Sequence, residues 1–177
     1  AASDVYKRQL KNKKVKHHAA ITDPVGVGRL LRDIQHYEGR PVVKAALELS
    51  ALLFQRPGEI RQMKWEEIDW RDSRWEIPAA KMKMDRDHIV PLSRQAIEVL
   101  KRVEPITGRF MYVFPNERSR TRARSDNGIR AALRTLGYTN EDMTPHGFRA
   151  MARTLLDEEL RFRPDWICLL YTSDAAD

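Results

Sequence analysis

Three stretches of this chain hold side chains suited to phosphoryl chemistry. In Thr144-Pro145-His146-Gly147-Phe148-Arg149, the histidine and the arginine stand three apart, so a helix starting there presents both on one face. Free backbone N–H groups and the helix dipole at that end favour an anion. Taken alone, H-x-x-R is equally a solvated histidine and arginine at a helix start. Arg56 closes a nearly wholly apolar run and precedes Pro57, which disfavours helical dihedrals at Arg56. Glu59, in the first turn of the following helix, is placed to hold its guanidinium. The two are either a structural ion pair or a pre-oriented fork for phosphate. Lys83 lies in the charged run Lys81-Met82-Lys83-Met84-Asp85-Arg86-Asp87-His88. A hairpin tip of that kind is a solvated loop, or it delivers one ammonium to a leaving oxygen.

Other chemistries find little support. His17, His18, His36, His88 and His146 show no ligand spacing with each other or with cysteine, so no metal is expected. A Gly-rich phosphate loop and a Gly-x-Ser-x-Gly elbow are both missing, and no cofactor is expected. Arg118, Arg120, Arg122 and Arg124 share one loop, which either tracks a DNA backbone or is flexible surface.

These residues need a scaffold. Asp23-Pro24 opens a helix to about His36, with Val25, Val27, Leu30, Leu31 and Ile34 near helical spacing. Pro41 begins a strongly apolar helix through Val43, Ala46, Leu47, Ala51, Leu52 and Phe54, the expected core element. A shorter helix runs from Pro57 to about Lys64. The period then changes: Ile68-Asp69-Trp70, Arg74 to Pro78, and His88 to Leu92 read as three short strands. Ser93 caps a helix to about Val103, and Ser125 caps one ending at Leu136-Gly137. Thr144 as N-cap and Pro145 at the first helical position open the last helix, through about Leu160. The expected fold is mainly α with a small three-stranded antiparallel sheet.

The two ends read differently. Ala1 to Gln9 can be written GCA GCG TCA GAT GTG TAT AAG AGA CAG, and its reverse complement, read one base in, translates as the run Cys168 to Ala175. The string looks like a transposase-end adapter from sequencing libraries, so residues 1–9 and 168–177 are expected to be adapter-derived. Residues 10–22 then read as a basic linker from an upstream region, and 23–167 as one partial domain. Setting the ends aside removes two cations (Lys7, Arg8) and three carboxylates (Asp4, Asp174, Asp177), raising the formal charge from +7 to +8. Such a balance favours a polyanion, nucleic acid before anionic lipid, since neither an apolar span nor a basic amphipathic helix suggests a membrane. The lone cysteine, Cys168, lies in the adapter stretch, leaving no disulfide or thiolate chemistry.

The motifs occur in one order: Arg56-Pro57-Gly58-Glu59-Ile60-Arg61, Trp65-Glu66-Glu67-Ile68-Asp69, Trp75-Glu76-Ile77-Pro78, Lys83 ahead of His88-Ile89-Val90-Pro91-Leu92-Ser93, then Thr144 to Arg149. This order resembles the catalytic domain of tyrosine recombinases, in particular prophage integrases of the P4 type, over nearly all of Ala20 to Ile167. The resemblance implies that Arg56 and Arg149 bind the scissile phosphate and stabilise its transition state. It implies that Lys83 protonates the departing 5′ oxygen and that His146 assists proton movement at the nucleophile. It further implies double-stranded DNA attachment sites as partner, a parent protein that is tetrameric on DNA, no metal or ATP, and a prophage-encoded protein of the bacterial cytoplasm. The family's later histidine or tryptophan and its nucleophilic tyrosine have no counterpart here. Trp166 comes too soon, Tyr171 lies in the adapter stretch, and Tyr37, Tyr112 and Tyr138 all precede the H-x-x-R. The fragment is therefore expected to bind DNA without cleaving it. The rival class is a non-enzymatic basic DNA-binding or regulatory module, which would need no general acid at Lys83. A metal-dependent nuclease would need a carboxylate cluster that is not found.

Overall fold

A computed structural model of the chain describes residues 18–82 and 86–161. Helix α1 (Pro24–Gln35) starts where the Asp23 carboxylate accepts the Gly26 N–H at 2.6 Å. Proline sits just inside, where its missing N–H costs nothing. Val27, Leu30 and Ile34 are buried, whereas Val25 and Leu31 face solvent. The apolar stripe is thus narrower than the sequence periodicity implies.

Helix α2 (Pro41–Leu53) is the core element, packed against α1 and against three helices that follow it: α3 (Pro57–Arg61), α4 (Arg94–Thr107) and α5 (Asn127–Thr135). Its buried side chains lie on several faces, from Val43 through Ala46 and Leu49 to Leu53. It ends at Phe54, whose φ of 57° is left-handed. That conformation costs a non-glycine residue roughly 1–2 kcal/mol, and it turns the chain sharply toward Arg56.

Strands β1 (Ile68–Asp69), β2 (Arg74–Ile77) and β3 (His88–Pro91) form an antiparallel sheet in sequence order. Ile68 pairs with Trp75, and Trp75 pairs with Val90, so all three bury one face. Glu76 and Ile89 point the other way and are exposed, as a two-residue side-chain period demands. Trp75 is fully buried, and its indole N–H donates to Glu67 at 3.1 Å. Glu67 also binds the Lys81 ammonium, which ties the segment beyond β2 to the turn before β1.

Ser93 caps α4 by accepting the Ala96 N–H at 3.2 Å, and the helix continues past Pro105 to Thr107. The last helix, α6 (Gly147–Thr154), begins later than the sequence suggests. Thr144-Pro145-His146-Gly147 is first a turn, in which the Gly147 N–H donates to the Thr144 carbonyl at 2.9 Å and to its hydroxyl at 3.1 Å. Beyond Thr154 the chain widens into a π-helical turn, Leu155–Glu159. Phe148, Met151 and Ala152 bury one side of α6 and fix its rotation. Truncating a fully buried phenylalanine such as Phe148 costs about 3–5 kcal/mol. The fold is mostly helical with one three-stranded antiparallel sheet.

Candidate active site

Arg56 projects from the turn between α2 and α3. Glu59 accepts both its backbone N–H and its guanidinium, each at 2.9 Å. The Glu59 side chain is 7% exposed and that of Arg56 is 22% exposed. One buried carboxylate therefore caps α3 and aims the arginine at once.

Arg149 is buried on α6 and donates to the Phe54 carbonyl at 3.4 Å. The left-handed turn at Phe54 thus presents an acceptor to one arginine two residues before the chain delivers the other. Both guanidiniums act electrostatically on the same two imidazoles. His88 and His146 are each held below the usual histidine value, chiefly by burial, and both arginines add to the effect. At His88 the Glu59 carboxylate opposes it; at His146 the neighbouring His18 reinforces it.

Arg56 and His146 line one cleft together with Glu59, Gln62, Lys81, Asp126, Arg130 and His18. Arg149 is not part of that lining and is held at the Phe54 carbonyl. Several of these residues were not singled out from sequence. Arg130 lies mid-helix on α5 with no motif around it. Lys81 and His88 sit in the same charged run as Lys83 and carry no distinguishing mark. His18 belongs to a basic stretch that reads as linker. Lys83 itself lies outside the described residues.

The arginine loop does not act as one face. It folds as a tight hairpin, with the Asn116 N–H donating to the Arg122 carbonyl and the Arg124 N–H to the Phe114 carbonyl, both at 2.8 Å. Arg118, Arg120 and Arg122 are exposed, and the Arg120 guanidinium lies 5.3 Å from the centre of the Phe110 ring. Arg124 turns inward instead. Its side chain is 11% exposed and bound at 3.0 Å to Glu117, which also pairs with Arg40.

None of the described tyrosines lines the cleft. Tyr138 donates to the Asp33 carboxylate at 2.5 Å, and burial together with that bond pushes its phenol up to about 12. Tyr112 pairs with Lys64 across a short bridge, and Tyr37 borders a different groove. Trp166 and Tyr171 lie outside the described residues. Among the described residues there is no cluster of three or more His, Cys, Asp or Glu able to hold a metal, and no helix long and apolar enough to cross a membrane.

Residues 27–163 match the model of the phage integrase family. The chain belongs to that family. It is 36% identical over 162 residues to the integrase of Enterobacteria phage P4, a match covering 84% of this chain and 37% of that protein. It is 40% identical over 116 residues to the prophage integrase IntA of Escherichia coli K12, covering 66% of this chain and 28% of that one. The chain thus spans well under half the length of these curated relatives. Among solved structures, XerH recombinase bound to its difH substrate aligns with a TM-score of 0.69 and 18% identity, over 92% of this chain and 51% of that one. A lambda integrase fragment bound to a COC′ core site aligns at 0.68 and 18%, over 93% and 60%. The integrase chain shares the tyrosine recombinase catalytic fold.

Proposed function

We propose that this integrase chain is the phosphate-handling part of a site-specific recombinase acting on double-stranded DNA. The observation that carries the reading is the cleft joining Arg56 to His146, an imidazole that feels both Arg56 and Arg149. Arg56 on the cleft wall, with the added positive potential of Arg149, offsets the negative charge that a pentavalent phosphorane develops on its non-bridging oxygens. Glu59 keeps Arg56 oriented before DNA arrives, so little reorganisation remains for the transition state. His146, held toward its neutral form, can accept a proton from an attacking phenol or donate a hydrogen bond to phosphate once charged.

In the complete reaction a tyrosine oxygen bonds to phosphorus as the bond to the 5′ oxygen breaks. Lys83 protonates that leaving oxygen, a role that rests on sequence alone. The bond energy is conserved in a 3′-phosphotyrosine, so neither ATP nor metal is required.

Residues 10–167 of this chain are read as native sequence between two adapter-derived ends, with residues 10–22 as linker and 23–167 as the partial catalytic domain. On that reading it binds DNA and does not cut it, because Tyr171 is adapter-encoded and Tyr37, Tyr112 and Tyr138 lie away from the cleft. The parent would assemble as a tetramer on attachment sites in the bacterial cytoplasm, like the lambda integrase tetramer solved on a Holliday junction. Binding of a duplex carrying a neutral methylphosphonate at one position tests the cleft. Neutralising the scissile phosphate should weaken binding in the wild type and have little effect in Arg56→Ala. Equal losses in both proteins would remove the cleft from the reaction and leave a DNA-binding module.

A further inference from the structure

His18 belongs to no helix or strand, yet its ring lies nearly parallel to that of His146, with centroids 4.5 Å apart and planes 15° from each other. The contact is part of a longer docking. The Ala19 carbonyl accepts the Thr144 N–H at 3.1 Å and the Thr144 hydroxyl at 3.2 Å. Any side chain at position 147 would drive into that same Ala19 carbonyl and stand 2.9 Å from Met143 Sδ and 3.2 Å from Ala20 Cα. Glycine at 147 is what lets the backbone of residues 19 and 20 cross the turn carrying His146.

We propose that His18 is a positioning residue for His146: the strap of residues 18–20 clamps the imidazole by ring stacking at the phosphate cleft and ties its orientation to the chain upstream. The proposal rests on reading that cleft as the scissile-phosphate site.

The physical reasoning starts from restraint. A histidine on a turn, with no side-chain hydrogen bond at the helix start, samples several rotamers, and a parallel ring against one face removes most of them. The stack also covers part of a ring that otherwise stays exposed. Stacking suits two neutral imidazoles, or one neutral and one charged, and opposes two cations. Arg56, Arg149 and Arg130 all press His146 the same way, and Lys81 adds a further cation to the cleft wall. The cleft's carboxylates are already engaged, Glu59 with Arg56 and Asp126 with Arg61. An arriving phosphodiester is then the anion that relieves this crowd, and it meets an imidazole already fixed in place.

Nuclear magnetic resonance on the whole chain tests this. The wild type should show a nuclear Overhauser effect between the two imidazole rings, a measurement that needs no variant. His18→Ala should move the His146 ring-proton signals downfield, by loss of the stacked ring's current, and shift its titration upward, by loss of cover. His18→Phe should restore both the ring-current displacement and the cover. No ring-to-ring effect in the wild type, or a His146 signal and titration unmoved in His18→Ala, would overturn the proposal. Inorganic phosphate provides the second arm. It should shift the His146 signals in the wild type and bind roughly threefold or more weakly to His18→Ala. Equal affinity in the two proteins also overturns a positioning role. A wild-type His146 that ignores phosphate sinks the cleft reading instead, and the ring-contact results still decide whether the strap exists.

Discussion

The two carboxylate oxygens of Glu59 divide their work on Arg56, one holding the guanidinium and the other the backbone N–H, each at 2.9 Å. Substituting Glu59 by alanine therefore removes a cap and an aiming device together. The loss leaves a donor of Arg56 without this acceptor and is expected to cost about 1–3 kcal/mol of stability. Glu59→Gln keeps an acceptor for the N–H and should recover part of the stability but less of the phosphate discrimination. Urea denaturation and duplex binding measured side by side check the split. If glutamine restored both in full, charge would have no part in orienting Arg56.

Arginines of the 118–124 hairpin should separate into two kinds. Arg122 is exposed, whereas Arg124 is bound to Glu117 within a network that includes Arg40. Binding to duplex DNA should weaken steeply with salt, because each phosphate neutralised releases counterions. Arg122→Ala is expected to lower the slope of log affinity against log salt by about 1, with little change in melting temperature. Arg124→Ala should do the reverse, losing stability and leaving the slope nearly intact. Titrations at several salt concentrations, paired with thermal melts, distinguish the two. An Arg124 effect confined to the salt slope would return that residue to the DNA face.

Acid should weaken the fold through His88, which is half-buried, and His146, which stays exposed yet is partly desolvated. His88 and His146 are both held below the ordinary 6.5, mainly by burial. Between the folded and unfolded values the unfolded chain binds more protons, so stability rises with pH there. Their contribution is complete above about pH 6.5 and is lost as pH falls below it. Asp69, Glu117 and Asp142 are also held low, but below the ordinary carboxylate range, so they act only in stronger acid. Melting temperature should fall between about pH 7 and pH 5.5, and His88→Gln should flatten that fall. DNA should oppose it, since bound phosphate favours imidazolium at His146. A melting curve indifferent to pH in this window would mean that neither ring is desolvated.

Much of this arrangement was legible in the residues themselves. Apolar continuity marked α2 as the core, two-residue alternation marked the sheet, and Ser93 marked the start of α4. The Arg56–Glu59 spacing suggested an ion pair because both partners lie within one turn. What sequence could not reveal depends on chain crossings. Nothing in His18-Ala19-Ala20 signals that it docks on residue 147, more than a hundred positions away, and Arg130 reaches the cleft only because α5 packs on α2. The start of α6 shifts by two residues for a local reason. The Thr144 hydroxyl does accept the Gly147 N–H as a cap should, but the first turn closes on the Thr144 carbonyl three residues back rather than four, so the first regular helical residue is 147.

Tyr171→Phe is expected to change nothing. A nucleophilic phenol must stand in line with the departing 5′ oxygen, about 3–3.5 Å from phosphorus, before the arginines can lower any barrier. If Cys-Leu-Leu-Tyr-Thr-Ser-Asp-Ala is the translated inverse of the codons proposed for the N-terminal nine residues, its tyrosine was never selected for that geometry. Asp174 and Asp177 close by in sequence would also repel a phosphate. Tyr138 offers no substitute, because its phenol is raised to about 12 and bonded to Asp33. Incubation with nicked suicide substrates, followed by denaturing electrophoresis, should therefore yield no DNA-linked protein, while the same duplexes are still retained at low salt. A covalent band in the wild type that disappears in Tyr171→Phe would show a placed nucleophile, and the adapter origin of residues 168–177 would have to be given up with it.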